Sequence, residues 1–114
     1  MATGDQTVPE RRHYGDHRPY PDPPPRLADL TGPTAGTVEL PITIDWGPKR
    51  CYDMSRDTDR RVVYERVLRE AGTPEEVSRF VNAAVLVEVW PRLWLPQRVL
   101  RIWEERFPEL TRAA

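Results

Sequence analysis

Apolar residues occupy every even position of Thr37-Val38-Glu39-Leu40-Pro41-Ile42-Thr43-Ile44-Asp45-Trp46. Side chains on a strand alternate between faces, so the run predicts one strand over Val38 to Trp46, dry on one side and wet on the other. Pro41 falls on the wet parity and has no N–H for a ladder, which marks an edge strand. The run also divides the chain. Nine of the thirteen prolines lie at or before Pro48. Residues 1–36 hold few aliphatic side chains and cannot offset the entropy of ordering them. They are expected to form a disordered proline-rich tail. Within it, Arg18-Pro19-Tyr20-Pro21-Asp22-Pro23-Pro24-Pro25 favours polyproline II. Residues 37–114 are expected to form a single small α+β domain, near the lower size limit for one core.

Beyond the strand, Gly47-Pro48 predicts a turn and Lys49 to Met54 a returning strand. That strand places Arg50, Tyr52 and Met54 on one face and Cys51 and Asp53 on the other. A lone hairpin is marginal in water, so helices must cover its apolar face. A helix begins at Ser55 or Asp57, with Asp57 and Asp59 at its positive end. Its stripe is Val63, Tyr64, Val67, Leu68 and Ala71. Gly72 is expected to stop it in the left-handed conformation. Thr73-Pro74-Glu75-Glu76 is an N-cap, a first-turn proline and a capping box. Val77, Phe80, Val81 and Ala84 continue the apolar face, and Asn82-Ala83 interrupts it. Ala84 to Trp90 is apolar nearly all round, so it should lie centrally. Pro91 breaks it, Pro96 opens a last helix with Val99, Leu100, Trp103 and Phe107 inward, and Pro108 ends that helix. The expected architecture is α+β: a disordered tail, a β-hairpin, then a three- to four-helix bundle.

Charge narrows the function. The 17 basic and 18 acidic residues give a net charge of −1, which argues against general attraction to nucleic acid or anionic lipid. The single Cys51 forms no internal disulfide and suits a reducing, cytoplasmic setting. No apolar run approaches the roughly 20 residues that span a bilayer, and no signal-peptide core is expected.

Candidate chemistry has plainer readings. His13 and His17 have the spacing of a helical metal pair, but Gly15 and the prolines oppose a helix there. Asp53, Asp57 and Asp59 are explained by helix capping. Cys51 has no base fixed near it in sequence. No catalytic residue, metal site or cofactor is therefore expected, and the chain reads as a non-enzyme. Three tryptophans, Trp90, Trp94 and Trp103, crowd a short stretch. Trp90 and Trp103 fit helix stripes and the core. Trp94 lies between Leu93 and Leu95 and between two prolines, a setting for an interface anchor. The expected partner-binding set is Trp94, Leu95, Arg92, Arg98, Arg101, Lys49 and Arg50.

The segment Thr73 to Trp90 has the outline of a helix-turn-helix, with Lys49 and Arg50 on a wing. A recognition helix needs Arg, Lys, Asn or Gln toward base edges. Here it would offer Val85, Leu86, Val87, Glu88, Val89 and Trp90. A DNA-binding regulator with a degenerate winged helix is therefore the second reading, after a protein-binding one.

Three stretches carry a resemblance: Trp46-Gly47-Pro48-Lys49-Arg50-Cys51-Tyr52-Asp53-Met54-Ser55, then Val63-Tyr64-Glu65-Arg66-Val67-Leu68-Arg69-Glu70, then Leu93-Trp94-Leu95-Pro96-Gln97-Arg98 with Trp103. Together they resemble a group of short actinobacterial proteins encoded beside nucleotidyltransferase-fold toxins of the abortive-infection type. The likeness spans roughly Trp46 to Phe107 and rests on turns, caps and core residues. It implies an accessory or antitoxin-like protein that binds and restrains a nucleotidyltransferase-type partner. It assigns no functional residue.

Overall fold

The computed structural model describes residues 20–49 and 51–113. Expectations for His13, His17 and Arg50 lie outside the described residues. A two-stranded antiparallel hairpin precedes five α-helices. Strand β1 is Thr37–Glu39 and β2 is Cys51–Asp53, with Val38 opposite Tyr52. Val38, Tyr52 and Met54 are buried while Cys51 is exposed, as the alternation requires. Helix α1 is Asp57–Glu70, α2 is Pro74–Phe80, α3 is Ala83–Val89, α4 is Gln97–Arg106 and α5 is Pro108–Ala113.

The first strand is far shorter than the alternating run. Pro41 supplies the reason. It contributes no N–H, and its carbonyl accepts from both Ile44 N (2.9 Å) and Asp45 N (3.0 Å), folding 41–45 into a tight turn. Ile44 stays buried, but Ile42 is 58% exposed and Trp46 72% exposed. Residues 40–49 thus form a long connection rather than two strands joined at Gly47-Pro48.

The second half of the expected tail corrects the sequence reading. Residues 20–36 run over the body, with Pro21, Pro23 and Pro24 buried and Leu30 2% exposed in the core. This strap bonds to the α2–α3 junction through Thr31 N to Ser78 O, Gly32 N to Val81 O and Ala83 N to Leu30 O. Arg106 Nη1 donates to Pro24 O at 3.1 Å. The reading of 1–36 as too poor in aliphatics overlooked that one leucine, several prolines and main-chain bonds suffice when the surface beneath is already built.

The helix ends show which local signals act. Thr73 Oγ1 accepts from Glu76 N at 3.1 Å, and Glu76 Oε1 accepts from Gly72 N at 2.8 Å. The reciprocal cap therefore reaches one residue further back than a standard capping box. Gly72 does not stop α1 in a left-handed state. Ala71 closes it at φ −62, ψ 146, and Gly36 has the one positive φ among the described residues. Asn82 Oδ1 caps α3 by accepting from Ala84 N and Val85 N. Pro91 converts the end of α3 into a 3-10 turn, Trp90–Arg92. Pro108 ends α4 and also opens α5, whose Leu110 is fully buried. That short helix is additional to the expected set.

The core joins Val63, Tyr64, Val67 and Leu68 of α1 to Val77, Leu86, Val99, Trp103 and Leu110. Trp103 is fully buried, its ring centroid 6.5 Å from Trp90 and 5.7 Å from Phe107. Trp90 Nε1 donates to Glu104 at 2.9 Å, whereas Trp103 Nε1 has no partner. Among the described residues no helix is long and apolar enough to cross a membrane.

Candidate protein-docking surface

Helix α1 is gripped from two sides. At 100° per residue, its wall toward the core carries Val63, Tyr64, Val67 and Leu68. Opposite on the wheel stand Thr58, Val62, Glu65 and Arg69, of which Thr58 is exposed and the other three are half-buried. On one flank lies the connection 40–49. Lys49 Nζ meets Asp59 Oδ1 at 3.2 Å, and Arg66 Nη1 approaches Asp45 Oδ1 at 3.7 Å. On the other flank lies the segment after α3. Arg92 Nη1 bonds Asp57 Oδ1 at 3.0 Å, and the Trp94 backbone N–H donates to Glu65 Oε2 at 2.7 Å.

Glu65 and Arg66 are consecutive, so the two grips fall at the same level of the helix. Each brings an exposed indole with it. Trp46 follows Asp45 and is 72% exposed, and Trp94 is 78% exposed. These are the two most exposed large apolar side chains among the described residues. Such a ring gains by burial against a partner while its N–H can still reach an acceptor.

The connection is held by a buried carboxylate. Asp45 is 1% exposed. The Tyr52 hydroxyl donates to its Oδ2 at 2.5 Å, and Gly47 N donates to its Oδ1 at 3.1 Å. Burial first, then the bond to Asp45, pushes the Tyr52 phenol up to about 12. The phenol thus stays neutral and donating at every ordinary pH. Asp59 ties the hairpin to α1 by accepting from Asp53 N at 2.9 Å. That main-chain bond and Lys49 hold its carboxyl below the usual range. Asp53 accepts from Ser55 N and Oγ, which lowers it likewise. Of the carboxylates expected to cap α1, Asp59 instead ties hairpin, helix and connection together, Asp57 pairs with Arg61 and Arg92, and Asp53 closes the turn at Ser55. Residue 56, the N-cap, makes no side-chain cap.

The expected partner-binding residues divide. Arg92, Trp94 and Lys49 are brought onto α1 by the bonds above. Leu95 is half-buried against the core. Arg98 and Arg101 are exposed on α4, and no bond ties them to α1. Trp46 was missed, because parity put it on the dry face of a strand that ends before it. Its neighbours Pro41, Gly47 and Pro48 were the available signal.

Guanidinium groups outnumber free carboxylates here. Asp57 serves both Arg61 and Arg92, each at 3.0 Å, and the Glu65 carboxylate is engaged by Trp94. Arg and Trp are the side chains most enriched at binding hot spots. Among the described residues, no three His, Cys, Asp or Glu side chains gather as a metal-ligand group, and Cys51 is exposed. No family model matches the chain, and neither a curated protein nor a solved structure is significantly similar to it.

Proposed function

We infer that this chain is a protein-binding accessory, an antitoxin-like regulator that acts by covering a partner enzyme. The observation that carries this reading is the pair of exposed indoles, Trp46 and Trp94, held at one level of α1 beside Arg61, Arg66 and Arg92. A small domain whose apolar side chains, Ile42 aside, are largely covered has no folding reason to hold two tryptophans in water. Glu65 holds the Trp94 backbone, and the Asp45–Gly47 bond closes the turn around Trp46, which lowers the ordering cost on binding. The resemblance to proteins encoded beside nucleotidyltransferase-type toxins supplies the candidate partner. A cytoplasmic, non-catalytic role follows from the same reading.

The DNA-binding alternative asks α3 to read bases. The residues of α3 that face solvent are Ala84 and Glu88, while Val85, Leu86 and Val89 are buried. A helix so placed offers no donor fork to a guanine edge. The protein-binding reading therefore stands first.

The test is co-expression with the product of the adjacent gene, followed by size-exclusion chromatography. A stable complex with the unsubstituted chain, weakened at least tenfold by Trp46→Ala with Trp94→Ala, supports the reading. Elution as a free monomer, together with tight, salt-steep binding to its own promoter, would replace it with the DNA reading.

A further inference from the structure

The hairpin has two outer edges, and they are finished differently. Gly36 O accepts from Met54 N at 2.8 Å. Pair 36–54 is therefore a hydrogen-bonded pair, and the ladder alternates. It follows that 38–52 is bonded too, while Thr37–Asp53 and Glu39–Cys51 turn their N–H and C=O groups outward. On β2 one of the two outward positions is closed, since Asp53 N donates to Asp59 Oδ2 of α1 at 2.9 Å, and only Cys51 is left open among the described residues. On β1 no hydrogen bond is made by the outward backbone groups of Thr37 and Glu39 among the described residues. An open strand edge is a template for another strand, and small proteins usually cover it.

Beside this open edge lies a cleft of about 390 Å³ lined by Glu39, Leu40, Pro41, Ile42, Arg79 and Phe80. Its walls mix apolar side chains with the charged Glu39 and Arg79, and Ile42 stands 58% exposed at it. Arg79 lies over the Phe80 ring, 5.9 Å from the centroid. It has no acidic partner among the described residues. A guanidinium left unpaired on an apolar wall is suited to a carboxylate.

We propose that β1 is a strand-addition site for an extended acidic segment of a partner protein. The segment pairs its backbone with Thr37 and Glu39, places an apolar side chain in the cleft and sets an aspartate or glutamate against Arg79. This is β-augmentation, in which main-chain bonds supply affinity and a pocket supplies selection. The surface goes beyond the α1 face: it draws Leu40, Pro41 and Ile42 from the same connection but none of the indoles or arginines of that face.

The probe is a capped hexapeptide alternating valine and threonine with one central aspartate, and its asparagine twin. Backbone amide exchange, read by NMR on the full chain, reports the edge directly. The aspartate peptide should slow exchange at Thr37 and Glu39 and bind about tenfold tighter than the asparagine twin. Arg79→Gln should remove that preference. Glu39→Pro removes an outward N–H without touching the ladder to β2, so it should abolish binding at an unchanged melting temperature. Trp46→Ala with Trp94→Ala should leave peptide binding intact. The proposal is overturned if no peptide slows these amides at millimolar concentration. It is equally overturned if both peptides bind alike, or if the amides are protected without peptide and increasingly so with protein concentration, which would make a second copy the occupant.

Discussion

Replacing Gly32 by alanine should detach the strap. An added Cβ would stand 2.4 Å from the Phe80 carbonyl carbon, 2.5 Å from Val81 N and 2.7 Å from Phe80 O. All three atoms are backbone, so no side chain can swing aside. The strap must move away, and its bonds go with it: Thr31 N to Ser78 O, Gly32 N to Val81 O, Ala83 N to Leu30 O, and Asn82 Nδ2 to Gly32 O. Those four contribute about 1 kcal/mol each net. Leu30, now 2% exposed, would lose about 2 kcal/mol of burial. Freed backbone over about four residues returns roughly 1 kcal/mol each. The remainder is a loss of about 2 kcal/mol, or about 8–16 °C in melting temperature for a domain this size. Urea denaturation of the two proteins measures it. Gly36→Ala is the control, since Gly36 has φ +85 with nothing within 4 Å of the added carbon, so only backbone strain of about 1–2 kcal/mol applies. If the strap is the shared route of loss, Leu30→Ala added to Gly32→Ala should cost much less than Leu30→Ala alone, which is about 2–5 kcal/mol. A Gly32→Ala protein within about 0.5 kcal/mol of its parent, in an assay where about 2 kcal/mol is due, would mean that the strap does not rest on the Phe80–Val81 backbone.

Trp103→Ala should cost about 3–5 kcal/mol, whereas Trp103→Phe should cost markedly less, because it also removes an indole N–H that has no acceptor; equal losses in denaturant melts would place the indole outside the core. Trp94→Ala should change stability by under about 0.5 kcal/mol, as an exposed substitution does, and a loss comparable to Trp103→Ala would make it a packing residue. Removing residues 1–36 should lower the melting temperature sharply by taking Leu30 from the core; a melting curve identical to that of the full chain would deny the strap its role. Tyr52 is raised from 10.0 to about 12, so its contribution is complete below pH 10 and fades as pH rises toward 12. Burial raises Tyr64 in the same direction. Stability measured from pH 9 to 12 should therefore fall, and fall less steeply in Tyr52→Phe. An unchanged slope would show that Tyr52 does not titrate with unfolding.

Much of this fold was legible because its signals are local. Thr73, Pro74 and Glu76 fix the start of α2 through bonds spanning three or four residues. The apolar stripe on α1 needs only its own periodicity. The misses are tertiary. Parity alone extends the first strand to Trp46, but Pro41 can gather two N–H groups into a turn that parity does not see. The strap was invisible because its stability comes from the α2–α3 junction, fifty residues away in sequence. Gly72 looked like a helix stop, yet the Glu76 carboxylate already holds its N–H, so an extended Ala71 ends α1 instead. Of the docking surface, Trp94 was visible from its flanking prolines. Trp46 was hidden by the same parity error, and the pairing of both with α1 depends on Asp45 and Glu65, which no sequence spacing reveals.

If Trp46 and Trp94 meet a partner while Trp90 and Trp103 hold the core, acrylamide quenching of tryptophan fluorescence will separate the two pairs, read before and after complex formation with the co-expressed adjacent gene product. Two indoles should be quenched readily in the free chain and both should become protected in the complex. Unchanged quenching on complex formation would contradict the account.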